Sequence, residues 1–236
     1  MDIRPEIVPP LDPQFRPAIR TLDAYRKTVQ ESGGGERLVL GLEREQGLVS
    51  RYEMRLLPRQ HEPERTLRIV ERVVKFLLWA RGGWKLYVGG PDWIGQHVRE
   101  QYSPGGARSF DRELMERIYE RACEVAVVDP EAVPPEKQQP SQLGGHLDGA
   151  RIGFDLGASD YKLAAVLDGE PVFTTEIPWN PKDEPDLDYH RRAIRQGLRL
   201  AASKLPRVDA IGGSSAGVYV ANRPMVASLF RSVPPE

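Results

Sequence analysis

Asp155, Gly157, Ser159 and Lys162 fall in the order D-x-G-x-S-x-x-K within the stretch RIGFDLGASDYKLAA. A glycine removes the Cβ that would keep an anion away from backbone N–H groups, and a serine hydroxyl adds a short donor. A lysine supplies a compensating point charge. An aspartate at a strand end can hold Mg2+, through water because this cation sheds its waters reluctantly. The set suits nucleotide phosphates with their metal. It also suits an ordinary hairpin with a polar glycine turn, since short motifs recur by chance.

The elements that must position these residues are legible on both sides. Ile152, Phe154 and Leu156 alternate with smaller or polar residues and Leu163 to Val166 resume an apolar run, which predicts two strands joined by a tight turn. Glu170 to Ile177 reads as a third strand and Pro178 to Asp186 as a polar loop. The next helix starts near Asp186 or Asp188, acids suited to the positive helix N-terminus, and runs to Lys204 with Ile194, Leu198 and Ala201 inward. Val208 to Gly212 reads as a strand and Gly212 to Gly217 as a small-residue loop. With that strand parallel to the first, the loop lies beside the turn, because ligands in open α/β sheets collect at strand carboxyl ends. A Gly-rich connection kept small for close packing is the alternative.

DLGASDYKLAAVLDG resembles the phosphate-1 hairpin of the actin, Hsp70 and sugar-kinase ATPase superfamily, and VDAIGGSSAGVYVANRPMVASLF is similar to the Gly-rich strand-loop of ROK-type sugar kinases. The resemblance implies a ribonuclease H-like (actin-like ATPase) βββαβ unit around a mixed sheet, within the α/β class. It implies ATP and Mg2+ as cofactors and a sugar as second substrate of the full-length protein. By the same resemblance Gly157, Ala158, Ser159 and Lys162 hold phosphates, Asp155 places Mg2+ through water, and Ser214, Ser215 and Gly217 line the substrate cleft. The ROK pattern reads D-I-G-G-T-K; here Ala158, Ser159 and Asp160 replace G, T and K, and the basic residue moves to Lys162, a spacing nearer glycerol-type kinases and dehydratase activators. The acid that takes the sugar hydroxyl's proton is expected downstream of the matched region, and Asn222 does not replace it because an amide is no general base. The expectation is the front part of a longer ROK-like kinase that alone binds MgATP weakly and phosphorylates nothing. A non-catalytic nucleotide sensor of the same superfamily is the alternative.

Composition bounds the rest. At 236 residues with 40% hydrophobic and 28% charged side chains the chain reads as globular, and a net charge of −1 gives no overall basic field for nucleic acid. The lone Cys123 cannot form an internal disulfide and reads as a packed or surface thiol in a reducing compartment. No apolar run approaches the roughly 20 residues needed to span a bilayer, so a cytoplasmic protein with no membrane partner is expected.

Upstream, residues 1–35 read as an arm with one helix from Phe15 through Val29, which is not a helix-turn-helix. Residues 36–132 read as an α/β domain: a hairpin over Arg37 to Leu57, a helix capped by Thr66 and running to Arg81, a strand over Trp84 to Val88, two further helices, and a strand over Glu124 to Val128. Its layout parallels that of 151–236 and suggests a degenerate repeat, with chance similarity of βα segments the alternative. In this copy Leu42-Glu43-Arg44 lacks the acid and glycine, so no phosphate binding is expected there. Residues 133–150, rich in Pro, Gln and Gly, read as the linker, in which His146 and Asp148 are exposed turn residues rather than metal ligands. A sheet left with an open edge tends to pair, and a homo-oligomer is one expectation.

Overall fold

A computed structural model describes residues 5–139 and 144–234. The chain divides into two compact units, Met1–Pro140 and Ser141–Glu236, each with a four-stranded mixed sheet. The expected arm, linker and C-terminal segment fall partly on residues 1–4, 140–143 and 235–236, which lie outside the described residues. Among the described residues no helix is long and apolar enough to cross a membrane.

In the first unit, helix α1 (Ala18–Glu31) precedes the hairpin β1 (Glu36–Glu43) and β2 (Val49–Leu56). Helix α2 (Pro63–Arg81), β3 (Lys85–Gly89), α3 (Asp92–Gln101), α4 (Ser109–Tyr119) and β4 (Glu124–Val128) follow. The sheet order is β2-β1-β3-β4, with β1 antiparallel to both neighbours and β3 parallel to β4. The unbroken run LVLGL suits β1 as one of the two inner strands, buried on both faces at Leu38, Val39, Leu40 and Leu42.

Helix α1 of the arm packs on the body of the unit: Tyr25 is fully buried, and its hydroxyl bonds Thr66 Oγ1 at 2.9 Å and accepts from the Leu57 amide at 3.0 Å. Thr66 therefore does not cap α2; the helix begins one turn earlier, with Pro63 at its first position, where a proline costs no hydrogen bond. The linker begins later than residue 133. Val133 is buried against Gly41 and Gly89, and the Lys137 backbone bonds that of Val49 in both directions at 2.9 and 3.0 Å.

In the second unit β5 (Ala150–Leu156), β6 (Asp160–Leu167) and β7 (Glu170–Pro178) form a meander, α5 (Leu187–Ala202) crosses back, and β8 (Ala210–Ser215) returns beside β5. The order is β7-β6-β5-β8, with β8 parallel to β5. Strands β9 (Val218–Val220) and β10 (Arg223–Val226) pair separately. The alternating apolar residues Ile152, Leu156, Tyr161, Leu163 and Ala165 bury one sheet face under α5. Asp186 caps α5, accepting from the amides of Asp188 and Tyr189 at 2.9 and 3.2 Å. The residues of α5 that approach closest are Gly197 and Ala201, whereas Ile194 and Leu198 are only partly buried. Gly197 is needed because a Cβ there would stand 2.6 Å from both Leu163 and Tyr161.

The repeat is not reproduced in topology. The first unit has one strand fewer before its crossover helix, so β3 returns antiparallel to β1 where β8 returns parallel to β5. The small-residue loop expected over Gly212 to Gly217 is also mostly strand: Gly212 to Ser215 pair with Gly153 to Leu156. Their small size reflects packing at Gly213, where a Cβ would stand 2.1 Å from the Phe154 ring.

Two measurements check this account. Gly197→Val should destabilise the second unit by roughly 1–3 kcal/mol through overpacking, read by denaturant unfolding, while Gly153→Ala, which meets nothing within 4 Å, should stay near wild type. Asp209, held below the usual carboxylate range first by Arg207 and then by the Ala150 amide, adds stability that is present above the unfolded carboxyl value of about 3.9 and lost as pH falls through its lower folded value. Wild-type unfolding free energy should therefore decline below about pH 4, with a shallower decline in Asp209→Asn.

Candidate functional site

Strand register assembles the site. Glu176 is opposite Lys162, Lys162 opposite Asp155, and Asp155 opposite Ser214, giving one row across β7, β6, β5 and β8. Directly opposite residues share a face, here the one turned away from α5, and all four are exposed. The adjacent row, Thr174, Ala164, Gly153 and Gly212, is small, and most of it joins Asp155, Lys162 and Glu176 in lining a shallow depression of about 520 Å3.

The turn between β5 and β6 is fixed from its inner side. Trp179, 7% exposed, donates its indole N–H to the Gly157 carbonyl at 2.9 Å and its backbone N–H to the Ser159 carbonyl at 3.0 Å. Its ring sits edge-on against Tyr161, His190 and Phe230 at centroid distances of 5.2, 6.1 and 6.2 Å. The Gly157 amide closes the turn on the Asp160 carbonyl at 2.9 Å. A Cβ on Gly157 would stand 2.6 Å from that same carbonyl, so the hairpin itself requires this glycine, independently of any anion. The amides of Ala158 and Ser159, both exposed residues, have no partner among the described residues.

The side chains around the turn are engaged with one another. Ser214 Oγ donates to Asp155 Oδ1 at 2.5 Å. Lys162 Nζ donates to Asp160 Oδ1 at 2.8 Å and stands 4.0 Å from Glu176, while Ser159 Oγ donates to Asp160 Oδ2 at 2.9 Å. The hydrogen bond from Lys162, then that from Ser159, holds the Asp160 carboxyl below its ordinary range, and the same bond raises Lys162. Lys162 is thus the counter-ion of Asp160 rather than a free cation awaiting phosphate. With Asp155 and Glu176 of the row and the neighbouring Asp160 set against one ammonium group, this part of the face carries an excess of negative charge.

Asp155 and Ser214 come together as expected, whereas Ser215 and Gly217 do not join them. Ser215 falls on the opposite face by strand alternation, its hydroxyl buried without a partner among the described residues. Gly217, at φ 148°, lets the chain turn where a Cβ would stand 2.4 Å from the Val226 carbonyl. No group of three or more His, Cys, Asp or Glu among the described residues is arranged to hold a metal. What fits is weaker and different: Asp155, exposed and with only Oδ1 committed to Ser214, can accept from the water shell of Mg2+. Burial pushes the Cys123 thiol up to about 11, which disfavours the nucleophilic thiolate.

Asp160, Glu176 and Trp179 are absent from the sequence-derived set. Asp160 and Lys162 alternate onto one face of a strand, so their pairing was accessible to pattern reading. Trp179 carries no such signal, because its role depends on the meander bringing it under a turn 22 residues upstream. No protein-family model matches the chain, and comparison with curated proteins finds no match.

Trp179→Phe keeps an aromatic ring but removes the indole donor from a half-buried carbonyl. It should lower stability by about 1–3 kcal/mol in chemical unfolding, with unchanged far-ultraviolet circular dichroism.

Proposed function

We propose that the second unit is a ribonuclease H-like, actin-like ATPase subdomain that binds the phosphates of MgATP at the β5–β6 turn, as part of a ROK-like sugar kinase. The observation that carries this reading is the pair of unpartnered amides at Ala158 and Ser159, on a turn whose carbonyls are drawn inward by Trp179. Successive free N–H groups in a turn form an anion-binding concavity. The β7-β6-β5-β8 order with β8 parallel to β5 supports the fold part of the proposal, because it supplies a βββαβ unit with Asp155 at the carboxyl end of its first strand.

Each residue has a stated task. Ala158 and Ser159 donate backbone N–H groups to phosphate oxygens. Asp155, oriented by Ser214, accepts hydrogen bonds from metal-bound water. Bound Mg2+ neutralises phosphate charge, which this site needs because its own carboxylates outnumber its amines. Lys162 reaches a phosphate only by exchanging Asp160 for it, so Asp160 acts as a gate on the cation. The same binding step serves a sugar kinase and a nucleotide sensor; the excess of carboxylates makes either strongly dependent on the metal.

Titration calorimetry with the purified chain tests the reading. MgATP should bind, Asp155→Asn should weaken it by tenfold or more, about 1.4 kcal/mol, and ATP in the presence of a chelator should bind far more weakly than MgATP. A folded chain that takes no MgATP, or an Asp155→Asn variant that binds it as well as wild type, would sink the proposal.

A further inference from the structure

The first unit holds a site that the nucleotide reading does not use. Helices α1 and α2 diverge over β2 and leave a groove of about 440 Å3, within the range of ligand pockets. Leu22, Ile69, Val73 and Leu77 line its walls, and Ile19 and Phe76 form its lips at 61% and 68% exposure. Large apolar side chains left this exposed around a concavity mark a binding surface rather than an incidental patch.

The polar groups of the groove say what covers it. Its lining contains two guanidinium groups, Arg26 and Arg72, and no carboxylate. Arg26 is held in place by donating to the Tyr52 hydroxyl at 3.0 Å and to Asp23, outside the lining, at 3.2 Å. Arg72 is exposed and has no ion-pair or hydrogen-bond partner among the described residues. The Thr21 hydroxyl is spent on the Pro17 carbonyl, so the groove offers few uncharged hydrogen-bonding groups beyond Tyr52. Charge complementarity therefore calls for an occupant with one apolar body and an anionic end. A second copy seated here by a two-fold contact would set the same arginine-bearing lining against itself, with no carboxylate of the groove to answer either guanidinium, which opposes that mode.

We propose that this groove binds a single-chain amphiphilic carboxylate, its alkyl chain between α1 and α2 and its head group on Arg72 and Arg26. The site is independent of the nucleotide proposal and stands or falls separately.

The test uses the full chain and dodecanoate below its micellar range, followed by calorimetry at physiological salt, with dodecanol as the uncharged comparison. Dodecanoate should bind with one-to-one stoichiometry and dodecanol at least several-fold more weakly. Arg72→Gln should weaken dodecanoate roughly tenfold, as expected for loss of a charge-assisted hydrogen bond. Phe76→Asp, at an exposed lip, should weaken it at least as much, while Phe110→Ala, an exposed aromatic on α4, should leave it unchanged. Circular dichroism confirms that each variant is folded. Absence of dodecanoate binding, or binding insensitive to both Arg72→Gln and Phe76→Asp, overturns the proposal. So does sedimentation showing a dimer that Phe76→Asp dissociates and that takes no dodecanoate, because the groove is then an interface between copies.

Discussion

The pair of hydrogen bonds from Trp179 to the carbonyls of Gly157 and Ser159 decides which side of the β5–β6 turn faces water. A short turn cannot satisfy all its backbone groups internally, and a buried carbonyl without a donor costs more than the bond it would make. By taking one carbonyl with its indole and the other with its backbone N–H, Trp179 leaves the Ala158 and Ser159 amides without a partner among the described residues. The ring can do this because it is itself fixed at its edges by Tyr161, His190 and Phe230, so the orientation of the turn depends on an aromatic cluster in the core of the second unit.

The same unit shows how one sheet is divided between stability and chemistry. Alternation sends Ile152, Leu156, Leu163 and Ala165 to the α5 side and Gly153, Asp155, Lys162 and Ala164 to the other. Close approach of α5 is allowed by Gly197, and close approach of Phe154 by Gly213. Small residues on the opposite face meet nothing, as at Gly153 and Gly212, and leave the shallow depression beside Asp155. Glycines that look alike in the sequence thus have opposite reasons for being there.

Much of this was legible in the sequence, for definite reasons. The hairpins, α5 and the strand EVAVV follow from hydrophobic period, and the tight turn between β5 and β6 follows from Gly157 between two apolar runs. What periodicity could not convey was direction and contact at a distance. Thr66 reads as a helix cap until Tyr25 is found across from it, and the Pro- and Gln-rich stretch after Val133 reads as a linker until Lys137 pairs with Val49. GGSS reads as a loop because its residues are small, and only its pairing with β5 shows that it is strand. Lys162 reads as a phosphate ligand from its charge and the motif, and neither shows that Asp160, two residues before it, is its partner in the fold.

The parallel pairing of β5 with β8 also has a consequence for the order in which contacts form. Strands β5, β6 and β7 join through short turns, whereas 53 residues separate the end of β5 from the start of β8. Closing that long excursion carries the larger entropy cost, so local pairing is favoured first and β8 docks onto a meander already formed. Asp155 is in place with the meander, but its Ser214 partner arrives only with β8. The carboxylate is therefore oriented only when β8 docks, and a chain paused before that step presents the motif without its support.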